Sequence, residues 1–180
     1  MPFRPLSPRN ARWRPLQGEG LEHLSIESTP SGILARSVVI GGRGGLPYGL
    51  GYQIRCDADW RVRELRLRET SGRSLSLDGD GEGNWTLADG TPLPALAGCI
   101  DIDLAGSPFT NTLPIRRLDL SPDDGTVELS MVYIPFDSLI PVVDGQRYTC
   151  LLARQLYRYQ AADRSFWADL PVDEDGLVTD

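Results

Sequence analysis

Apolar residues recur at every second position along much of this chain, and that period constrains its fold more than any other feature. Tyr48, Leu50, Tyr52, Ile54 and Cys56 alternate with Gly49, Gly51, Gln53 and Arg55. A strand so patterned turns one face to a core and leaves the other small and polar. Val127, Leu129, Met131 and Tyr133 alternate in the same way with Glu128, Ser130, Val132 and Ile134, as do Leu65 and Leu67 with Arg66 and Arg68. Gly49 and Gly51 leave room on the second face for something to approach.

Turn signals punctuate these runs at Thr29-Pro30-Ser31-Gly32, Gly41 to Gly45, Ser71-Gly72, Asp78 to Gly83, Ala88-Asp89-Gly90, Ser121 to Gly125 and Asp144-Gly145. The segments between them predict strands at about 21–28, 33–40, 48–56, 62–69, 74–78, 84–88, 99–104, 126–134, 147–160 and 165–171. No long amphipathic helix, internal repeat or linker interrupts the series. The chain therefore reads as one mainly β domain over residues 1–180 with few short helices, its hairpins fitting a barrel, half-barrel or sandwich. That length suffices to bury a real core.

A net charge of −7 makes nucleic acid and anionic membrane surfaces poor partners. All 18 basic residues are Arg, which fits a coding bias and also supplies planar forks for vicinal oxygens. Cys56, Cys99 and Cys150 are widely spaced and form no ligand motif, as expected of reduced thiols in a cytoplasmic protein. Met1 to Leu16 carries four arginines without an apolar core, so it does not read as a secretory signal. No apolar run is long enough for a membrane-spanning helix, so no integral membrane association is expected.

Between Asp101 and Leu118 the sequence combines DIDL, PFTNTLP and an arginine pair. Pro108 and Pro114 fix their own φ angles and bias Ser107 and Leu113 away from helix, which predicts a stiff connector presenting polar groups. Thr110, Asn111 and Thr112 between them can bond back to nearby backbone. Asp101 and Asp103, at alternate positions, could serve as acid and base, although an ion pair with Arg116 or Arg117 is the more economical use. Asp78, Asp80 and Glu82 superficially suggest a calcium loop, but the segment runs straight into Trp85 with no flanking helices. No metal or cofactor is expected. The single His23 joins no nucleophile motif, and GxSxG and phosphate-loop patterns are absent, so the chain is not expected to be an enzyme.

Several segments together resemble a family of bacterial proteins described as putative glycolipid-binding. They are Trp13 with Gly18-Glu19-Gly20-Leu21-Glu22, Tyr52 to Asp57 with Trp60 to Arg63, and Gly83-Asn84-Trp85. The others are Cys99 to Leu104 with Pro108 to Leu118, Gln146 to Thr149, Tyr157 to Tyr159, and Val172 to Val178. The resemblance implies a curved antiparallel sheet shaped as a part-closed barrel around a groove, and binding of a lipid or glycolipid-like amphiphile.

A lipid head group needs convergent donors at the mouth of an apolar concavity. Asn111, Arg116 and Arg117 are the first candidates, with turn capping and ion pairing as the structural alternative. Arg55 and Gln53 become contacts if their strand face lines the groove. Gln146, Arg147 and Tyr148 follow the expected turn at Asp144-Gly145 and could sit on its rim. Tyr157 and Tyr159 share a strand face, for stacking or for core packing. Trp85 is expected inside the fold. The leading expectation is non-catalytic binding of a small amphipathic ligand. The alternatives are an enzyme on a small polar or sugar-like substrate using Asp101 or Asp103, and a protein-interaction module; the sequence leaves the oligomeric state open.

Overall fold

The computed structural model describes residues 3–43 and 45–179. Seven strands follow one another as an antiparallel meander in chain order: β1 (Arg9–Trp13), β2 (Gly20–Thr29), β3 (Gly32–Arg43), β4 (Leu46–Cys56), β5 (Val62–Glu69), β6 (Ser74–Gly79) and β7 (Trp85–Leu87). The sheet curls into a half-barrel. Register aligns its inward residues in rows across the strands. One row runs Leu24, Ser37, Tyr52, Leu67, Leu75 and the next runs Ile26, Ala35, Ile54, Leu65, Leu77. A bulge beside Arg55 and Cys56 brings Val62 inward with Leu65 and Leu67. Gly44, within the expected Gly41 to Gly45 turn, lies outside the described residues.

A second sheet has the order β12-β11-β10-β9-β8. It comprises β8 (Ile102–Leu104), β9 (Thr126–Ile134), β10 (Val142–Leu152), β11 (Leu156–Ala161) and β12 (Trp167–Pro171). Its pairs are antiparallel except β8 with β9, which run parallel. A parallel pair needs a crossover, and here it is the helix α1 (Phe109–Leu118).

The helix corrects the expectation for PFTNTLP, which forms a largely buried helix and not a stiff connector presenting polar groups. Pro108 occupies the N-cap, next to a first turn whose N–H groups need no carbonyl partner. Pro114 sits inside the helix, where it cannot supply the N–H that would reach Thr110 O. Burial overrides that penalty: Phe109, Thr110, Thr112, Leu113, Pro114 and Ile115 are all buried. Phe109 and Leu113 join the core inside the half-barrel, while Ile115 packs with Tyr148, Tyr157 and Leu170 of the second sheet. Asp119 closes the helix in the left-handed region at φ 43°.

Three strand expectations also change. β1 is an added edge strand. The turn expected at Asp144-Gly145 lies within β10, opposite Met131 and Ser130. Gly145 is there for close approach, since a Cβ on it would stand 2.8 Å from Ala162 Cβ. The single strand expected over 147–160 is the hairpin β10–β11, turned at Arg154 with φ 56° and without glycine or proline.

Candidate functional site

Two clefts adjoin where the half-barrel, the 105–108 segment and the second sheet meet. The first, of about 450 Å³, opens at the end of the half-barrel where β2 begins and β3 ends. Its wall includes Trp13, Glu22, Val39, Tyr48, Gly106 and Phe136. The second, of about 700 Å³, lies between β1 and the second sheet. Both share Trp13, Arg14, Pro15, Ala105, Gly106 and Pro108. Gly106 is required by space, since a Cβ there would come within 2.7 Å of Tyr48 Oη and of a Phe136 ring carbon. Tyr48 and Phe136 meet edge to face at 5.1 Å between ring centres.

In the first cleft Glu22 takes an inward position of β2 that Leu24 and Ile26 hold further along, and it is only 2% exposed. Its Oε1 accepts from Tyr52 Oη at 2.6 Å, Ser37 Oγ at 2.7 Å and Ser107 Oγ at 2.9 Å. Its Oε2 is shielded from solvent and has no hydrogen-bond partner among the described residues. Burial raises the Glu22 carboxyl above the usual carboxylate range, against the opposing pull of the three hydroxyls. Burial and the neighbouring Glu22 together push the Tyr52 phenol well up, so Tyr52 stays a donor.

The second cleft sets polar groups beside an aromatic wall. Asp103 of β8 and Asn111 of α1 line it with Tyr133, Tyr159 and Phe166. Two buried residues of β10 stand behind them. Tyr148 Oη donates to Asn111 Oδ1 at 2.8 Å, and Gln146 Nε2 donates to Asp103 Oδ2 at 2.6 Å. Burial holds the Tyr148 phenol well above its ordinary value, with the Asp103 charge adding to it. Asn111 also donates through Nδ2 to Pro108 O at 3.3 Å. The aromatic series continues from Tyr148 to Tyr159 at 5.7 Å and on to Phe166 at 6.1 Å. Phe166 and Leu16, both in this wall, are 59% and 96% exposed.

The sequence candidates therefore separate into three places. Asn111, Gln146 and Tyr148 come together at the second cleft, Asn111 on its wall and the other two behind it. Arg116 and Arg117 belong to a shallow depression with Phe3 and Trp60. The Arg116 guanidinium lies 4.9 Å from the Phe3 ring centre and 4.6 Å from that of Trp60, and donates to Asp175 O and Arg4 O. Arg117 grips both oxygens of buried Asp101, with Nη2 at 2.5 Å from Oδ2. Gln53 and Arg55 lie on the outer face of β4, opposite buried Tyr52 and Ile54, with Glu64 at 3.0 Å and 3.4 Å. Asp80 caps its own loop through the Glu82 and Asn84 amides, and Trp85 is buried with Nε1 donating to Cys99 O at 2.7 Å.

Glu22 was missed as a site residue. The signal was parity: a strand that turns Leu24 and Ile26 inward turns Glu22 inward too.

The family model described as "Putative glycolipid-binding" matches residues 10–180. A crystal structure of a DUF1089 family protein from Pseudomonas aeruginosa is 40% identical. The match covers 93% of this chain and 91% of that one, with a TM-score of 0.78. No curated protein matches the chain. Among the described residues no helix is long and apolar enough to cross a membrane.

Proposed function

The chain belongs to the family described as putative glycolipid-binding, and from that membership we propose that it binds a small amphipathic ligand without transforming it. The polar head sits against Asn111 and Asp103, and the apolar part runs along Tyr159 and Phe166 toward Leu16. One observation carries this reading: the cleft of about 700 Å³ places an oriented amide and a carboxylate beside an aromatic wall. A carboxylate oxygen accepts more than one hydrogen bond and an amide both donates and accepts, so the pair suits vicinal hydroxyls. Aromatic rings offer apolar faces to sugar C–H groups and acyl chains alike. Each buried CH₂ would add about 0.8 kcal/mol, so the chain of the ligand supplies affinity while the polar pair supplies selection.

Binding is favoured over catalysis because both carboxylates are already engaged, Asp101 by Arg117 through both oxygens and Asp103 by Thr110 and Gln146. The buried free thiols of Cys56, Cys99 and Cys150 support a reducing compartment, the cytoplasm, as the place of action.

Titration with an alkyl glucoside below its micelle concentration tests the site. Asn111→Ala is expected to weaken binding about fivefold, the value of one hydrogen bond of about 1 kcal/mol. Phe166→Ala should weaken it by a similar factor through lost apolar contact. Tyr148→Phe, which frees Asn111 to turn, should weaken it less. Equal affinities for all three variants and the parent protein would remove the ligand from this cleft.

A further inference from the structure

We propose that Glu22 is a neutral carboxylic acid whose Oε2–H binds a carbonyl or hydroxyl oxygen of an uncharged polar group held in the first cleft. The inference rests on the amphiphile-binding reading and adds the atom that recognises the ligand's uncharged polar portion. The geometry assigns the two oxygens different work. Oε1 already collects three hydroxyl donors from three separate elements: Ser37 of β3, Tyr52 of β4 and Ser107 of the 105–108 segment. These donors saturate it as an acceptor and fix the carboxyl in one orientation.

Oε2 is the exception among the groups of this cluster. A buried carboxyl oxygen without a partner costs free energy, and the cost is far greater for a charged oxygen than for a neutral O–H. Burial of Glu22 disfavours the charged form for the same reason. A neutral acid at this position offers one donor at the inner part of a cleft walled by Trp13, Val39, Tyr48 and Phe136, with Arg14, Gln17 and Glu19 also on its wall. The Glu22 O–H suits an ester, amide or sugar oxygen and gives no attraction to an ammonium group, which an ionised Glu22 would prefer. The other titratable groups around the cleft are Arg14, Glu19 and Tyr48 on its wall and Tyr52 behind Glu22. Because the first cleft meets the second along Gly106 and Pro108, one ligand can place its head at Asn111 and its linkage at Glu22.

Two readouts test this on the whole chain. Infrared difference spectroscopy between the parent protein and E22Q at neutral pH should show the carbonyl band of a protonated carboxylic acid, lost in the variant. A carboxylate band instead would overturn the proposal. Calorimetric titration then compares an alkyl glucoside with the alkyltrimethylammonium of equal chain length. Glucoside binding should fall about tenfold in E22A, equivalent to about 1.4 kcal/mol, and recover in part in E22Q, which keeps an N–H donor. In the parent protein it should weaken as pH rises through the Glu22 titration, above the ordinary carboxylate range, and E22Q should be flat across the same interval. Circular dichroism of E22Q separates this from misfolding. Glucoside binding untouched by either variant, or tighter binding of the ammonium compound that E22Q abolishes, would overturn the role of Glu22 alone. A parent protein that binds neither amphiphile would overturn the amphiphile reading and this inference with it.

Discussion

Burial raises the carboxyls of Asp101 and Glu22 alike, but the two acids are given different partners. Asp101 is 1% exposed and its charge is met by Arg117 through both carboxylate oxygens. Removing one partner of such a pair strands the other in the interior, typically at a cost of 3–5 kcal/mol. Arg117→Ala is therefore expected to lower unfolding free energy by about 3 kcal/mol in urea titration, and adding Asp101→Asn should return part of it. Glu22 has no cation, only hydroxyl donors on one oxygen. A pair of opposite charges fastens α1 to the residue just before β8, whereas Glu22, on the wall of the first cleft, keeps one oxygen without a partner among the described residues. The ion pair was legible from the neighbouring charges in sequence. Glu22 was legible only through strand parity, because its three hydroxyl partners come from positions 15 to 85 residues away.

At the scale of elements, the joint between β8 and α1 decides the shape of the second cleft. The Thr110 hydroxyl accepts from Leu104 N–H at 3.3 Å, and its one proton lies between Ser107 O at 3.0 Å and Asp103 Oδ1 at 3.1 Å. Thr110→Val keeps the shape and deletes these bonds inside the core. It should cost about 1–3 kcal/mol by chemical denaturation and weaken glucoside binding through Asp103. Strands with clean alternation, such as β4, β5 and β9, were readable because period two reports a half-buried sheet. The helix was not. Two prolines, four β-branched or amide residues and apolar side chains spread around its circumference hide a helix that tertiary burial sustains. The β10–β11 hairpin was hidden for the reverse reason: Gly145 looks like a turn and is a close approach, while the real turn at Arg154 carries no turn residue.

Across the whole molecule, segments far apart in sequence close the seam between the two sheets. Asp175, its side chain wholly buried, accepts from Arg4 at 2.7 Å and from Arg9 at 2.6 Å. The Arg4 hydrogen bonds, with those of Arg9, bring its carboxyl down to about 2. A folded value below the ordinary one means stability that is present above the usual carboxylate range and lost as pH falls toward about 2. With Arg4 half exposed, that contribution is about 1–2 kcal/mol. Asp175→Asn should lower stability near neutrality by this amount and flatten the acid limb of a pH–stability curve. Trp13 completes the seam, its Nε1 donating to Val178 O at 2.6 Å across a separation of 165 residues. Contacts of such span form late, because the chain must first surrender the entropy of a long closed loop. Trp13 and Val178 are also walls of the second cleft. During synthesis, then, the half-barrel can assemble strand by strand as it emerges, but the second cleft is not complete until residue 178 has cleared the ribosome. A chain interrupted before Val178 therefore lacks one wall of that cleft and the hydrogen bond that fixes the Trp13 indole opposite it.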